Sequence, residues 1–128
     1  MKIAALVCRI LLGLMFLVFG VFKLYPFRPA VMPPGDAGIW SVVMIHHHWM
    51  MMVGVFESVG GLLLLSGRFV PLGLALLAPI CVNILAFQFL LVHGTPAPAL
   101  VPAILELFLL YAYRNSYAQL LVAKAQVS

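Results

Sequence analysis

Four long apolar stretches dominate the chain, and segments rich in proline, glycine or polar residues separate them. They cover residues 3–24, 49–67, 70–92 and 98–117. Each has close to the ~20 residues that an α-helix needs to cross ~30 Å of hydrocarbon. Backbone N–H and C=O groups cannot stay unpaired in lipid, so these stretches are predicted to be helices. The pattern therefore predicts an all-α fold, a transmembrane four-helix bundle formed by a single domain over residues 1–128.

The connections between these stretches differ in length. Residues 67–69 form a tight turn that makes the second and third helices an antiparallel pair, and residues 93–98 form a short loop before the fourth. Residues 39–45 are a short, mostly apolar run, which is expected to be an interfacial turn leading into the second helix. The first connection is the longest, and its helix-breaking residues exclude a continuous helix there. They are Pro26, Pro29, Pro33, Pro34, Gly35 and Gly38.

Composition supports an integral membrane protein. The 128 residues are 66% hydrophobic and 8% charged, whereas soluble domains average about 45–50% apolar and 25% charged residues. The net charge of +4 does not indicate nucleic-acid binding, because the basic residues are scattered along the chain. Arg9 interrupts the first apolar stretch and no small-x-small cleavage site follows it, so we expect a retained helix and not a signal peptide.

The distribution of lysine and arginine predicts the orientation. Four crossings put both termini and the second connection on one side of the membrane. That side carries Lys2, Arg68, Arg114 and Lys124, whereas the other side carries Lys23 and Arg28 close to Asp36. The positive-inside rule therefore predicts that both termini are cytoplasmic.

Three ionisable residues, Arg9, Glu57 and Glu106, lie inside the apolar stretches. An ionisable side chain in hydrocarbon costs between about 3 and more than 10 kcal/mol, so it normally faces the bundle interior and finds a partner. Asn83 would add a polar group from the third helix at a similar depth. These four residues are the predicted polar intramembrane cluster, and two carboxylates near one cation would titrate as a coupled set able to take up or release a proton.

Small residues predict how the first two helices dock. Gly13 and Gly20 fall on the same face of the first helix as Arg9, and Gly54 and Gly61 fall on the same face of the second helix as Glu57. Small residues let membrane helices approach closely, so we expect these faces to meet, with Arg9 reaching towards Glu57. The alternative is that the polar cluster serves only to specify packing.

A second group of polar residues is His46, His47 and His48, followed by Trp49 and three methionines. Imidazole and thioether can bind copper, and imidazole can bind zinc or iron. Adjacent helical residues point about 100° apart, however, so three adjacent histidines cannot all ligate one ion from a regular helix. The spacing favours a polar interfacial cap over a metal site. Cys8 and Cys81 lie in apolar stretches without a C-x-x-C motif and are expected to be inert buried thiols.

The chain contains no recognisable nucleophile–base motif, phosphate-binding loop or haem motif. A self-contained catalytic site is therefore not expected. Whether the protein is an enzyme, or part of one, stays open on the sequence.

Several motifs resemble those of the DoxX family of small bacterial membrane proteins. The matching residues are Arg9 to Gly13, Phe19-Gly20, Lys23, Glu57 to Leu65, Ser66 to Pro71, and Glu106 in the last helix. The resemblance implies a four-helix bundle in the bacterial inner membrane. The family takes its name from a subunit of a quinone-linked thiosulfate oxidoreductase, and some members associate with redox and oxidative-stress enzymes. The run of three histidines departs from the family pattern, so the resemblance does not support a metal there.

Three hypotheses about function follow. The leading one is a membrane subunit of a redox system, which contacts quinone or a partner oxidoreductase through the polar cluster. The second is a non-catalytic scaffold in the lipid bilayer. The third is a small proton-coupled carrier, which would require a homo-oligomer because four helices are few for a carrier. The sequence identifies neither the partner nor the substrate.

Overall fold

A computed structural model describes residues 1–25 and 33–127. Pro26, Arg28 and Pro29 of the predicted first connection lie outside the described residues. The five α-helices of the described part are α1 (Lys2–Leu24), α2 (Asp36–His46), α3 (Trp49–Ser66), α4 (Val70–Ala86) and α5 (Ala97–Ala112). A π-helical segment, Phe87–Val92, continues α4, and a 3-10 segment, Arg114–Leu121, follows α5. No strand occurs among the described residues, so the predicted all-α class is confirmed.

Four of the helices form a closed bundle. α1 packs against α3 and α5, and α4 also packs against α3 and α5. Three helical stretches are long and apolar enough to cross a membrane, namely Lys2–Leu24, Trp49–Ser66 and Val70–Val92. α5 is shorter, with 16 residues, but it is equally apolar and completes the ring. Large hydrophobic side chains cover the outside of the bundle as well as its centre, as expected for a protein whose surface faces lipid.

The core of the bundle is built from large apolar side chains contributed by all four helices. α1 supplies Leu12 and Phe16, α3 supplies Leu64, α4 supplies Leu74 and Leu77, and α5 supplies Leu109. Each of these side chains is fully buried. These side chains form the apolar part of the bundle core.

The predicted docking of the two glycine faces is confirmed. A Cβ atom placed on Gly61 would lie 2.7 Å from the carbonyl oxygen of Gly13, and one placed on Gly54 would lie 2.9 Å from the carbonyl oxygen of Gly20. Gly13 thus faces Gly61 and Gly20 faces Gly54, which makes α1 and α3 antiparallel. The helix backbones approach so closely because these positions have no side chains.

Two parts of the chain differ from the expectation. Residues 36–46 form a helix of 11 residues, α2, and not merely a turn. Gly35 precedes it, Asp36 lies in its first turn where a carboxylate interacts favourably with the helix dipole, and no proline interrupts it. The last helix is also shorter than expected, since α5 ends at Ala112 and not near residue 117. The polar run that begins at Arg114 includes asparagine and serine, whose side chains compete for backbone hydrogen bonds and disfavour a continued α-helix.

The end of α4 is wider than a regular α-helix. In Phe87–Val92 the hydrogen bonds follow the π-helical pattern, and His93 closes the segment with a left-handed φ of 60°. Such wide turns are rare and often occur at functional sites. The helix α2 packs against this segment and against α3, so α2, α3 and the end of α4 together enclose a space at one end of the bundle.

Candidate functional site

An ion pair between α1 and α3 lies at the centre of the candidate site. Lys23 Nζ donates hydrogen bonds to both carboxylate oxygens of Glu57, at 2.8 Å to Oε1 and 3.0 Å to Oε2. Glu57 is 1% exposed, whereas Lys23 is 26% exposed. The carboxylate is therefore removed from solvent or lipid, and the ammonium group closes the site towards the outside.

The docking of α1 and α3 explains why Lys23, and not Arg9, is the partner of Glu57. A Cβ atom on Gly54 would lie 2.9 Å from Lys23 Cβ, and one on Gly67 would lie 2.8 Å from Arg9 Nη1. Glu57 is one turn from Gly54 but ten residues from Gly67. The expected contact of Arg9 with Glu57 is thus replaced by the Lys23 contact, because the antiparallel register brings the two cations to opposite ends of α3.

A cavity of about 230 Å³ opens beside this ion pair. Its polar lining comes from Lys23, Glu57, Ser41 and Asn83, and its aromatic lining comes from Trp40, Trp49 and Phe87. Aliphatic side chains of α3 and α4 complete it. A site with a few convergent polar groups among apolar and aromatic walls is the usual character of a small-molecule site.

The helix α2 supplies one wall of the cavity. The Trp40 and Phe87 rings pack with their centroids 4.8 Å apart and their planes tilted by 42°. Phe87 is the first residue of the π-helical segment, so this contact joins α2 to the widened end of α4. The Ser41 hydroxyl donates to the carbonyl oxygen of Ala37 at 2.8 Å, within α2 itself. A neighbouring cavity of about 240 Å³ shares Trp40, Asn83 and Phe87 and extends along Leu90 and Leu91.

Asn83 lies at the boundary of these two cavities and has an exposed side chain. Pro79 lies one turn before Asn83, and α4 continues through Pro79 to Ala86. Among the described residues, the walls of the cavity come from α2 docking on the end of α4, a feature that does not require a bend at Pro79.

Glu106 lies in the bundle core, outside the lining of this cavity. Its side chain is 3% exposed, and both carboxylate oxygens lack a hydrogen-bond partner among the described residues. Cys81 lies nearby, with its Sγ 4.0 Å from the carbonyl oxygen of Pro102, one turn before Glu106 on α5. Burying an ionised carboxylate without a partner is very unfavourable, so a neutral carboxylic acid suits this position better.

Arg9 lies at the opposite end of the bundle from Lys23. It lines a separate cavity together with Lys2 and Tyr113. Of the four residues of the predicted polar cluster, Glu57 and Asn83 therefore line one cavity, whereas Glu106 and Arg9 lie elsewhere. Lys23, Trp40 and Phe87 are additional lining residues. Lys23 follows Arg9 by fourteen residues, so helical periodicity puts both on one stripe of α1, and this spacing is the signal in the sequence that points to Lys23.

The three histidines lie at the junction of α2 and α3. His46 and His47 stack edge to face with centroids 5.0 Å apart, and His48 Nδ1 lies 3.3 Å from Met51 Sδ. His48 has a left-handed φ of 61° and begins the turn into α3. Among residues 1–25 and 33–127, no group of three or more His, Cys, Asp or Glu side chains could hold a metal ion. Cys8 and Cys81 are both free thiols.

The fold and the site define a class of protein, a helical membrane protein with a buried ion pair beside an aromatic-walled cavity. The DoxX family model matches residues 4–94, more than two thirds of the chain. The chain therefore belongs to the DoxX family, as its motifs indicated. The matched range includes Lys23, Glu57 and Asn83, but α5 with Glu106 lies beyond it. Comparison with curated proteins and with solved structures gives no significant match.

Proposed function

We propose that the protein is an accessory subunit of a quinone-linked or redox-stress system, and that the cavity beside Lys23 and Glu57 receives a quinone head group. The observation that carries the proposal is the joining, in one cavity, of a buried ion pair and aromatic walls. Membership of the DoxX family supports the redox setting by analogy only, because a fold family does not by itself define a function.

The lining fits such a group in size and chemistry. The cavity volume of about 230 Å³ lies below the range of about 300–1,000 Å³ that is usual for drug-sized ligands. This suits a single-ring head group whose apolar tail leaves along the neighbouring cavity towards Leu90. Quinone rings are flat and apolar with carbonyl acceptors, and Trp40 and Phe87 offer flat aromatic surfaces.

The polar residues would hold and protonate the head group. An ammonium group has three N–H donors, and Lys23 directs hydrogen bonds to the two Glu57 oxygens, which leaves one donor for a carbonyl. Asn83 supplies an exposed amide at the same cavity. When bound, a quinone would accept two electrons and two protons. The partner oxidoreductase would supply the electrons, the Lys23–Glu57 pair would hold one proton near one carbonyl, and water would supply the second proton.

Tryptophan fluorescence provides a direct test, because the chain has two tryptophans and both line the cavity. Titration of the purified protein with a short-tail quinone should quench this fluorescence saturably. Asn83→Leu should weaken binding about two- to tenfold, the effect of one lost hydrogen bond. Asn115→Leu, which removes an exposed asparagine from the 3-10 segment, should leave it unchanged. Quenching that does not saturate would contradict the proposal. So would an equal loss of quinone affinity in the Asn83→Leu and Asn115→Leu variants.

A partner is tested separately. Mass spectrometry of the proteins that co-purify with the tagged chain from native membranes in mild detergent should recover a stoichiometric oxidoreductase. Recovery of the chain alone, with saturable quinone binding intact, would retain the cavity assignment and reject the subunit role.

A second candidate function is a non-catalytic scaffold. It is favoured by the ion pair, because Lys23 donates hydrogen bonds to both Glu57 oxygens. The pair can therefore serve only to cross-link α1 and α3. The third, a proton-coupled carrier, is favoured by the buried Glu106, whose carboxyl group has no hydrogen-bond partner in the part of the chain that the structure describes. Proton flux into liposomes that Glu106→Gln abolishes would support the carrier, and flux unchanged by that variant would reject this role.

We also propose an inner-membrane location with both termini in the cytoplasm. The antiparallel docking supports it, because Lys2, Arg9 and the Gly67 turn lie at the same end of the bundle. Tyr117 also donates a hydrogen bond to the carbonyl oxygen of Pro71 at that end, at 2.6 Å. The basic residues of this end match the positive-inside rule.

A further inference from the structure

The basic end of the bundle contains a second cavity that the proposed function does not use. It lies between α1 and α5 and has a volume of about 340 Å³. Lys2 and Arg9 supply two cations and Tyr113 a phenol, while Ala5, Leu6 and Ala112 supply apolar walls. None of the described residues that line this cavity carries a carboxylate, so their combined charge is positive.

Arg9 is held in a fixed place but is incompletely paired. Its guanidinium lies against the turn after α3, where a Cβ atom on Gly67 would be 2.8 Å from Nη1. Its Nε is buried and has no hydrogen-bond partner among the described residues. The one ion pair of the described part of the chain joins Lys23 to Glu57, at the other end of α1. Among the described residues, Arg9 Nε therefore keeps an unused donor, on a side chain that lines the cavity.

We propose that this cavity binds the phosphate group of an anionic phospholipid. The planar guanidinium forms paired hydrogen bonds with phosphate oxygens, and Lys2 adds a second charge at the entrance. Basic pockets between membrane helices are known to accommodate anionic head groups. The exposed apolar side chains of Ile3, Leu6 and Ile10 on α1 give the acyl chains a surface to lie on, which free phosphate would not use.

The proposal is independent of quinone binding, and a lipid-retention experiment tests it. The purified full-length protein is exchanged into a neutral detergent and titrated with phosphatidylglycerol or phosphatidylcholine, and native mass spectrometry measures the bound fraction. Phosphatidylglycerol should bind more tightly. Arg9→Gln should weaken its binding about fivefold, the usual effect of one basic residue near an anionic lipid, and Arg9→Lys should restore part of the loss.

Arg114→Gln is the matched control. Arg114 carries the same charge at the same end of the bundle, but its Nη1 donates to the carbonyl oxygen of Tyr111 at 3.0 Å and its guanidinium stacks 4.4 Å from the Tyr111 ring. It does not line the cavity, so its loss should leave phosphatidylglycerol binding unchanged. If Arg9→Gln does not fold, Lys2→Gln carries the same comparison, because Lys2 is exposed on the first turn of α1.

Two results would overturn the proposal. One is equal retention of the two lipids, and the other is an equal loss from Arg9→Gln and Arg114→Gln, which would indicate general electrostatic attraction. Inorganic phosphate provides a third arm. If inorganic phosphate displaces the lipid only at concentrations far above that of the lipid, the site is one for lipid. If phosphate displaces the lipid at equal concentration, the site is one for a free anion and the lipid proposal is rejected.

Discussion

Lys23 and Glu57 form one ion pair, but only the Lys23 side chain is close enough to the surface to extend into a polar environment. Lys23 is 26% exposed and stands in the last turn of α1, where a long side chain can extend towards the interface. Glu57 is 1% exposed and sits in the interior of α3. The two residues should therefore respond differently when the partner is removed.

We expect Lys23→Met to destabilise the protein more than Glu57→Gln. The first variant leaves a buried carboxylate without its cation, which costs about 3–5 kcal/mol. The second leaves an ammonium group that can turn outwards, with a loss nearer about 1 kcal/mol. Unfolding in detergent, followed by circular dichroism, measures both, and the double variant should recover part of the Lys23→Met loss. Equal losses in the two single variants would show that neither residue can leave the site.

Unlike the replacement of Lys23, the replacement of Glu106 by an apolar residue should not destabilise the protein. Because neither carboxylate oxygen has a partner among the described residues, Glu106→Leu should leave the free energy of unfolding unchanged or raise it by about 1 kcal/mol. Leu109→Ala, at a fully buried position one turn further on α5, is the control and should lose about 2–5 kcal/mol. A large loss from Glu106→Leu would mean that Glu106 stabilises the bundle.

At the scale of the elements, the α1–α3 pair depends on missing side chains. A Cβ atom on Gly61 would lie 2.7 Å from backbone atoms of Gly13 and Leu17. Backbone atoms cannot rotate away as a flexible side chain can, so α1 would have to move as a whole. Lys23 is carried on α1, and the ion pair consequently depends on the same close approach.

Gly61→Ala is therefore expected to destabilise the protein by about 1–3 kcal/mol, the usual effect of overpacking a tight core. Gly94→Ala serves as the control, because its nearest atoms would be 3.6 and 3.9 Å away. That change should stay within about 0.5 kcal/mol. The same unfolding assay in detergent compares them, and equal stability of both variants would contradict the packing described for α1 and α3.

These elements also show which features a sequence can and cannot predict. The meeting of the glycine faces followed from helical periodicity alone, because Gly13, Gly20, Gly54 and Gly61 are spaced seven residues apart within each helix. The partner of Glu57 did not follow. Periodicity put Arg9 and Lys23 on one stripe, and only the register of the antiparallel pair decides which of them meets the carboxylate.

The walls of the cavity were less predictable still. Trp40 and Phe87 meet because α2 folds back onto the end of α4, a contact between residues 47 positions apart in the chain. Single-helix patterns contain no information about such a contact. The separation of Glu106 from Glu57 likewise depends on how α5 is rotated in the bundle, which its uniformly apolar sequence does not specify.

At the scale of the whole molecule, the cations lie towards the two ends of the bundle, whereas the carboxyl groups of Glu57 and Glu106 are buried inside it. Arg9 and Lys2 lie at one end and Lys23 at the other. The apolar outer surface of the helices lies between them. This arrangement leads to a prediction about orientation in the membrane.

Reporter fusions should place both ends of the chain on the cytoplasmic side. Green fluorescent protein, which fluoresces when it stays in the cytoplasm, should be fluorescent at either terminus. Alkaline phosphatase, which is active only outside, should be active when inserted at His47 between α2 and α3. The physical reason is the greater number of lysines and arginines at the end that carries the termini. An active phosphatase at either terminus would reverse the orientation or change the number of crossings.

The π-helical segment after α4 has a consequence for how the chain can change in length. A π-turn holds one residue more than an α-turn, so Phe87–Val92 can lose a residue and still close as a regular helix. Such a deletion would leave the rotation of the helix nearly unchanged, because the wide turn had absorbed the extra residue, whereas the loss of one residue from the regular part of α4 would rotate everything after it by about 100°. The loop at His93 would then leave in another direction, and α5 would no longer return between α1 and α4. The wide turn is thus the place in this helix where the chain can lose one residue without moving the last helix.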